Sequence, residues 1–198
     1  MKKKFFSLII TVLLLTGCGG STTENKTPDT ETAHTMQEES GAKSEENKFP
    51  GSYTVPDGWI KSDEYSTDEK IFYVQEGHEN DTLPDNISVN IGSNKYSADE
   101  HSKFKDAILN QLLFQLNGTN ATLNGDGTYT EQGYTEYIFT IEDSDAVTKQ
   151  YYIIDDYRYC LIHLTNYTLS ENAYAAVQEI ADSFVWQKDE DIEGGGKT

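Results

Sequence analysis

Two cysteines, four prolines and only fifteen basic residues among 198 put several protein classes out of reach. Cys18 and Cys160 allow one disulfide at most, so this is not a disulfide-stapled secreted scaffold. Fifteen Lys and Arg against 34 Asp and Glu give a net charge of −19. Such a surface repels nucleic acid and anionic lipid headgroups. No apolar run reaches the about 20 residues of a membrane-spanning helix. The first one, Phe5 to Thr16, is broken by Ser7 and Thr11 and runs into Gly19 and Gly20. There is no H-E-x-x-H, no G-x-S-x-G and no glycine loop of the phosphate-cradling kind. His34, His78, His101 and His163 have no metal-ligand spacing, and no cofactor motif is present.

What is present begins at the N-terminus. Lys2, Lys3 and Lys4 precede the apolar run, and Leu15-Thr16-Gly17-Cys18 closes it. Residues 1–17 read as a signal peptide. The last four residues of the Met1–Cys18 stretch resemble the bacterial lipobox, in which cleavage precedes a cysteine that then carries lipid. Cys18 is the expected lipidation site, and two or more acyl chains on one residue make a durable membrane anchor. The competing readings are an uncleaved membrane helix, for which the run is too short, and an ordinary signal cut elsewhere. With Cys18 lipidated, Cys160 has no intramolecular partner. Its setting, Tyr159-Cys160-Leu161-Ile162, is that of a small buried hydrophobe rather than a nucleophile.

Residues 18–48 form the lipidated cysteine and a polar linker. Positions 19–48 lack Ile, Leu, Val, Phe, Tyr and Trp, too little apolar surface to offset ordering entropy. Without residues 1–17 the chain holds 12 basic and 34 acidic residues, a net charge of −22. Residues 49–187 are the expected folded domain, and 188–198 an acidic, Gly-rich, disordered tail.

Within the domain, residues 53–55 and 70–75 read as strands, with Pro56-Asp57-Gly58-Trp59 as a turn. Asn86 to Gly92 alternates, with Ile87, Val89 and Ile91 on one side. Ser97 and Glu100 form a capping-box pattern ahead of a helix over 98–117. In it Phe104, Ile108 and Leu112 make one row, and Leu109, Leu113 and Leu116 another. Gly118 stands where a C-cap belongs. Residues 119–123 and 127–131 read as strands around an Asn124-Gly125-Asp126 turn. Residues 134–142 form another strand. Residues 147–155 and 158–166 read as a hairpin about Asp156-Tyr157, apolar on both faces and so central. Ser170 caps a second helix whose stripe is Ala173, Ala176, Val177, Ile180, Ala181 and Phe184. Strands, helix, strands, helix argue for an α+β fold: an α/β/α sandwich with a central antiparallel sheet flanked by helices.

Several elements resemble those of the PsbP-like family. They are Val55-Pro56-Asp57-Gly58-Trp59, Asn86-Ile87-Ser88-Val89, the helix bearing Phe104 and Leu112, and Gly127-Thr128-Tyr129. The hairpin 151–163 and the closing Ser183-Phe184-Val185-Trp186 complete the resemblance, which spans roughly residues 50–187. It implies a central antiparallel sheet flanked by helices and a noncatalytic binding or assembly module, here as a bacterial lipoprotein member. It supplies no site residues.

The acidic pairs Asp81/Asp85, Asp143/Asp145 and Asp155/Asp156 read as turns, since none completes a calcium loop. No catalytic, cofactor or metal-binding residue is expected. Thirteen tyrosines suit both strands and binding surfaces. The candidate binding surface is Trp59, Tyr134, Tyr152 and Tyr157. The expectation is a noncatalytic lipoprotein on the extracytoplasmic face of a cell membrane, of Gram-positive surface type. It is anchored to the membrane through Cys18 and binds an envelope protein partner, with no nucleic acid. The alternatives are a surface lipoprotein for a small ligand or cation, and a hydrolase without a readable motif.

Overall fold

The computed structural model describes residues 49–187. The signal peptide 1–17, Cys18, the linker to residue 48 and the tail 188–198 lie outside the described residues. The chain runs β1 (Gly51–Ser52), β2 (Trp59–Lys61), β3 (Lys70–Gln75), β4 (Asn86–Ser93), α1 (His101–Leu116) and β5 (Thr122–Tyr129). It continues through β6 (Thr135–Glu142), β7 (Val147–Asp155), β8 (Arg158–Asn166), α2 (Glu171–Ser183) and β9 (Val185–Trp186). Seven strands form one sheet in the order β2-β3-β4-β8-β7-β6-β5, and β1 and β9 pair separately. Every pairing is antiparallel.

The strands apolar on both faces, β7 and β8, lie in the interior of the sheet, because only there are both faces covered. Their register sorts the side chains. Tyr151 pairs with Ile162, and Ile162 pairs with Val89 across β4, so these three share one face. That face joins Ala173, Val177 and Ile180 of α2 in the core, with Phe184 and Trp186 at the closing segment. The other parity carries Tyr152 and Tyr159. The Phe104 ring of α1 lies 5.8 Å and 5.2 Å from them, centroid to centroid. Phe139 of β6 packs on Tyr152 from the same side, at 5.9 Å.

Local signals account for the helices. A 3₁₀ turn over Ala98–Glu100 precedes α1, and Ser97 donates its backbone N–H to Glu100 Oε2 at 3.4 Å. Phe104, Ile108, Leu112 and Leu116 are its buried row. Leu113, grouped with the apolar rows on periodicity alone, is 53% exposed. Gly118 adopts φ +81° just past the helix, the left-handed stop its lack of a Cβ permits. α2 is entered through a reciprocal clasp. Asn166 Nδ2 donates to the Ser170 carbonyl and Ser170 N–H donates to Asn166 Oδ1, both at 3.0 Å.

Three local readings change. The first strand lies at Gly51–Ser52, not 53–55, because its partner is the closing segment: Gly51 faces Trp186. Trp59–Lys61 is a strand rather than the end of a turn, since β3 offers Gln75, Val74 and Tyr73 as partners. Asn124-Gly125-Asp126 is not a turn but the middle of β5, paired without a break to Thr140, Phe139 and Ile138. Tertiary pairing overrides the local turn chemistry here. The Phe139 and Tyr137 rings lie over Gly125 and Gly127, about 3 Å from where a Cβ would stand.

Candidate functional site: an acidic cleft over Trp59

Pro56-Asp57-Gly58 turns the chain tightly, with Gly58 at φ +81° and Trp59 N–H donating to the Pro56 carbonyl at 3.2 Å. Glu76 N–H donates to the Gly58 carbonyl at 2.9 Å, which fixes the end of β3 beside that turn. Gly77, at φ +84°, then swings the chain to His78, whose Nδ1 lies 2.8 Å from Asp81 Oδ2. α2 supplies the other wall through Asn172, Ala175, Ala176 and Glu179. Their i, i+3, i+4, i+7 spacing puts them on one face of the helix.

The result is an open cleft of about 920 Å³. Trp59, Val55, Pro56 and Ala176 give it apolar walls, and Asp57, Glu76 and Glu179 stand on it. Among the described residues no Lys or Arg lines it, and His78 is its one basic side chain. A concavity with one sign of charge focuses the field and concentrates cations. Trp59 is 7% exposed, so the ring is a floor rather than a projecting anchor.

The structure does not gather the four candidate aromatics at one place. Trp59 lines the cleft. Tyr134 is half-buried and packs against the core on the α2 side of the sheet. Tyr157 is exposed at the β7–β8 turn with φ +58°. Tyr152 is a correction: at 2% exposure it offers no contact surface. Its hydroxyl donates to Gln150 Oε1 at 3.1 Å, and its ring lies among Phe104, Phe139 and Tyr159. Alternation in a strand apolar on both faces does not tell an outward tyrosine from one covered by a helix. Asp57, Glu76 and Glu179 were missed as a group because they are far apart in sequence. The one sequence signal near them is the Pro-Asp-Gly-Trp turn.

The acidic pairs work as local staples. Asp143 Oδ1 accepts the N–H groups of Asp145 (2.7 Å) and Ala146 (3.0 Å). Asp155 pairs with Arg158 at 2.7 Å, and Asp156 Oδ1 accepts the Ala98 N–H at 2.7 Å. Asp85, 3% exposed, accepts the N–H groups of Tyr167 (2.7 Å) and Thr168 (3.0 Å), and the Thr168 hydroxyl as well. Cys160 is buried, and loss of solvent pushes its thiol well up. Among the described residues no group of three or more His, Cys, Asp and Glu is placed to hold a metal ion. Among them, too, no helix is long and apolar enough to cross a membrane.

Two titratable groups shifted by desolvation lie elsewhere, Glu136 buried and His163 half-buried. Burial raises Glu136 to about 7, with the Asp182 carboxylate adding to the effect. Its Oε1 has no hydrogen-bond partner among the described residues. Burial lowers His163 to about 4, helped by the Lys70 charge.

No family model matches the sequence, and no characterised protein matches it in sequence. Among solved structures the chain is similar to cyanobacterial PsbP from Synechocystis sp. PCC 6803, at 15% identity and a TM-score of 0.47. That match covers 70% of this chain and 88% of the other. It is also similar to LpqN of Mycobacterium tuberculosis, a protein described as involved in cell envelope biogenesis, at 12% identity and a TM-score of 0.47. Here 70% of this chain and 83% of the other are covered. The first of these carries the name of the family that the sequence resembles.

Proposed function

We propose that this protein is a noncatalytic, lipid-anchored module on the outer face of a bacterial membrane, and that its cleft over Trp59 binds a positively charged segment of an envelope protein. The observation that carries this reading is the lining of the cleft: Asp57, Glu76 and Glu179 over apolar walls, with no Lys or Arg. A lysine or arginine stem packs on such walls while its charged head meets the carboxylates. The layered reading, a sheet between two helical layers, is supported by α1 packing on the Tyr152 side and α2 on the Tyr151 side. Anchoring rests on the Leu15–Cys18 pattern.

Two measurements test the parts separately. For the anchor, Cys18→Ala abolishes lipid labelling and releases the protein from membranes; labelling that persists in the variant sinks it. For the cleft, tetralysine is titrated against the full chain by intrinsic tryptophan fluorescence, with tetraglutamate as control. Saturable binding of tetralysine, lost in Asp57→Asn/Glu76→Gln/Glu179→Gln, supports the reading. Equal binding in the triple variant, or none in the parent, refutes it. Saturation by a monovalent or divalent cation alone, at the same carboxylates, favours a small-cation site instead.

A further inference from the structure

β5 closes the sheet on the side of α1, and among the described residues nothing pairs with its outer edge. Natural proteins protect such edges with lysine, proline or a bulge. Thr122-Leu-Asn-Gly-Asp-Gly-Thr-Tyr129 has no lysine, proline or bulge, carries a single charge at Asp126, and pairs with β6 without interruption. The direction of its free groups follows from the hairpin. Thr130 N–H donates to the Tyr134 carbonyl at 3.0 Å. The two-residue period therefore turns the even positions of β5 toward β6, and Leu123, Gly125, Gly127 and Tyr129 outward. In agreement, among the described residues Gly127 N–H is met by its neighbour's carboxylate, Asp126 Oδ1, at 2.8 Å.

Beside this edge lies a notch of about 380 Å³. The Phe139 and Tyr137 rings lying over Gly125 and Gly127 form its floor, Asp126 stands at it, and Leu109 with the Lys105 stem forms the helical wall. Leu113 is one turn beyond Leu109 on the same row and 53% exposed, and Phe114 beside it is 81% exposed. In this acidic chain no charged residue occurs between Asp106 and Asp126. The C-terminal half of α1 and the start of β5 thus bring two acidic molecules together over a surface whose one acid per chain is Asp126.

We infer that β5 pairs edge to edge with β5 of a second copy, making a two-fold symmetric dimer with one continuous sheet. One self-complementary register meets both the charge and the shape of the strand. Centring it on Gly125 puts Asp126 opposite Asn124 of the partner. It also sets Leu123 opposite Gly127, where no side chain of the glycine opposes it and the Tyr137 ring lies alongside. Shifting the sum of paired positions up by two sets Asp126 against Asp126, which like-charge repulsion disfavours, and shifting it down by two moves Asp126 away from Asn124 to Thr122. Both α1 helices then lie on the same side of the joined sheet, with Leu113 near the seam. This inference concerns a different face from the cleft over Trp59 and does not depend on what the cleft binds.

The test is sedimentation equilibrium of the full-length chain in a non-ionic detergent, across about 1–100 μM, where a self-association must depend on concentration. The parent is expected to dimerise. Asn124→Asp sets two like-charge pairs across the seam and weakens the dimer roughly tenfold, whereas Asn124→Lys faces Asp126 and tightens it. Asn124 is exposed, so neither change touches the core. In a second assay, Asn124→Cys and Asp126→Cys chains are mixed under mild oxidation. A crosslink forms in the mixture and in neither chain alone. A parent that stays monomeric, or a dimer indifferent to the sign of the charge at position 124, overturns the inference. The monomer result covers an edge occupied by another protein's strand or by a segment of residues 1–48.

Discussion

At single positions, the close packing of rings over glycine decides more than any exposed charge. Gly92 faces the Tyr159 ring across the β4–β8 ladder, and a Cβ there would stand 2.3 Å from Tyr159 Cζ. The ring cannot give way, since Phe104 and Tyr152 hold it at centroid distances of 5.2 Å and 5.6 Å. Gly92→Ala is therefore expected to cost about 1–3 kcal/mol by overpacking, read as a lower urea midpoint with an unchanged slope. An unchanged midpoint would mean that the Tyr159 ring is free to move. Tyr157 is the opposite case. It holds φ +58° at the β7–β8 turn, its ring is exposed, and its N–H donates to the Tyr96 carbonyl at 2.9 Å. A left-handed conformation costs a side-chain-bearing residue about 1–2 kcal/mol, part of which glycine returns as unfolded-chain entropy. Tyr157→Gly is expected to raise the melting temperature slightly, and a fall would show that the tyrosine ring contributes more than its exposure implies.

At the scale of elements, the sequence was readable wherever one local rule and the tertiary contacts agreed. The β7–β8 hairpin, the stripe of α2 and the Phe104–Ile108–Leu112 row are repetitive patterns whose burial follows from their period alone. β5 was not readable, because Asn-Gly-Asp is turn chemistry and only pairing with β6 makes it strand. Trp59–Lys61 was missed for a related reason, being three residues long and defined by its β3 partner. Tyr152 was misassigned because a strand with two apolar faces carries no mark of which face a helix covers. The cleft was invisible as a set, since α2, the 54–59 loop and the β3 end meet only in the fold. Asp85 shows how a turn-like acid becomes an element-level support. It ties the residues ahead of β4 to the β8–α2 connection through Tyr167 and Thr168. Asp85→Ala leaves those N–H groups without their acceptor and is expected to cost about 3 kcal/mol in chemical unfolding. A loss below about 0.5 kcal/mol would mean that water replaces the carboxylate and that the connection is held by other contacts.

At the scale of the molecule, two desolvated groups on opposite faces of the sheet set how stability answers to pH. Glu136 lies on the parity of Ile153, the α2 side, and His163 pairs with Gln150 on the α1 side. Glu136 titrates near 7 when folded against an ordinary 4.5, so between those values the native state holds a proton that the unfolded chain has lost. Stability from this group is greatest at low pH and falls as pH rises from 4.5 to 7. His163 titrates near 4 when folded against an ordinary 6.5, so between those values the unfolded chain binds the extra proton. Its contribution is complete above 6.5 and is lost as pH falls toward 4. Over their common window, 4.5 to 6.5, the two slopes oppose each other, and the pair contributes a nearly flat profile that declines on both sides, as pH falls from 4.5 toward 4 and as it rises from 6.5 to 7. Removing either member should therefore expose the other. Glu136→Gln keeps the shape of the side chain without the charge, and it is expected to stabilise the protein by about 1–3 kcal/mol at pH 8. It should also leave stability rising with pH from 4 to 6.5. His163→Gln is expected to do the reverse, leaving stability falling across the same window. Urea unfolding at half-unit pH steps for the parent and both variants reads this directly. Parallel curves for all three proteins would mean that neither group titrates differently on folding, and that the acidic surface alone sets the response.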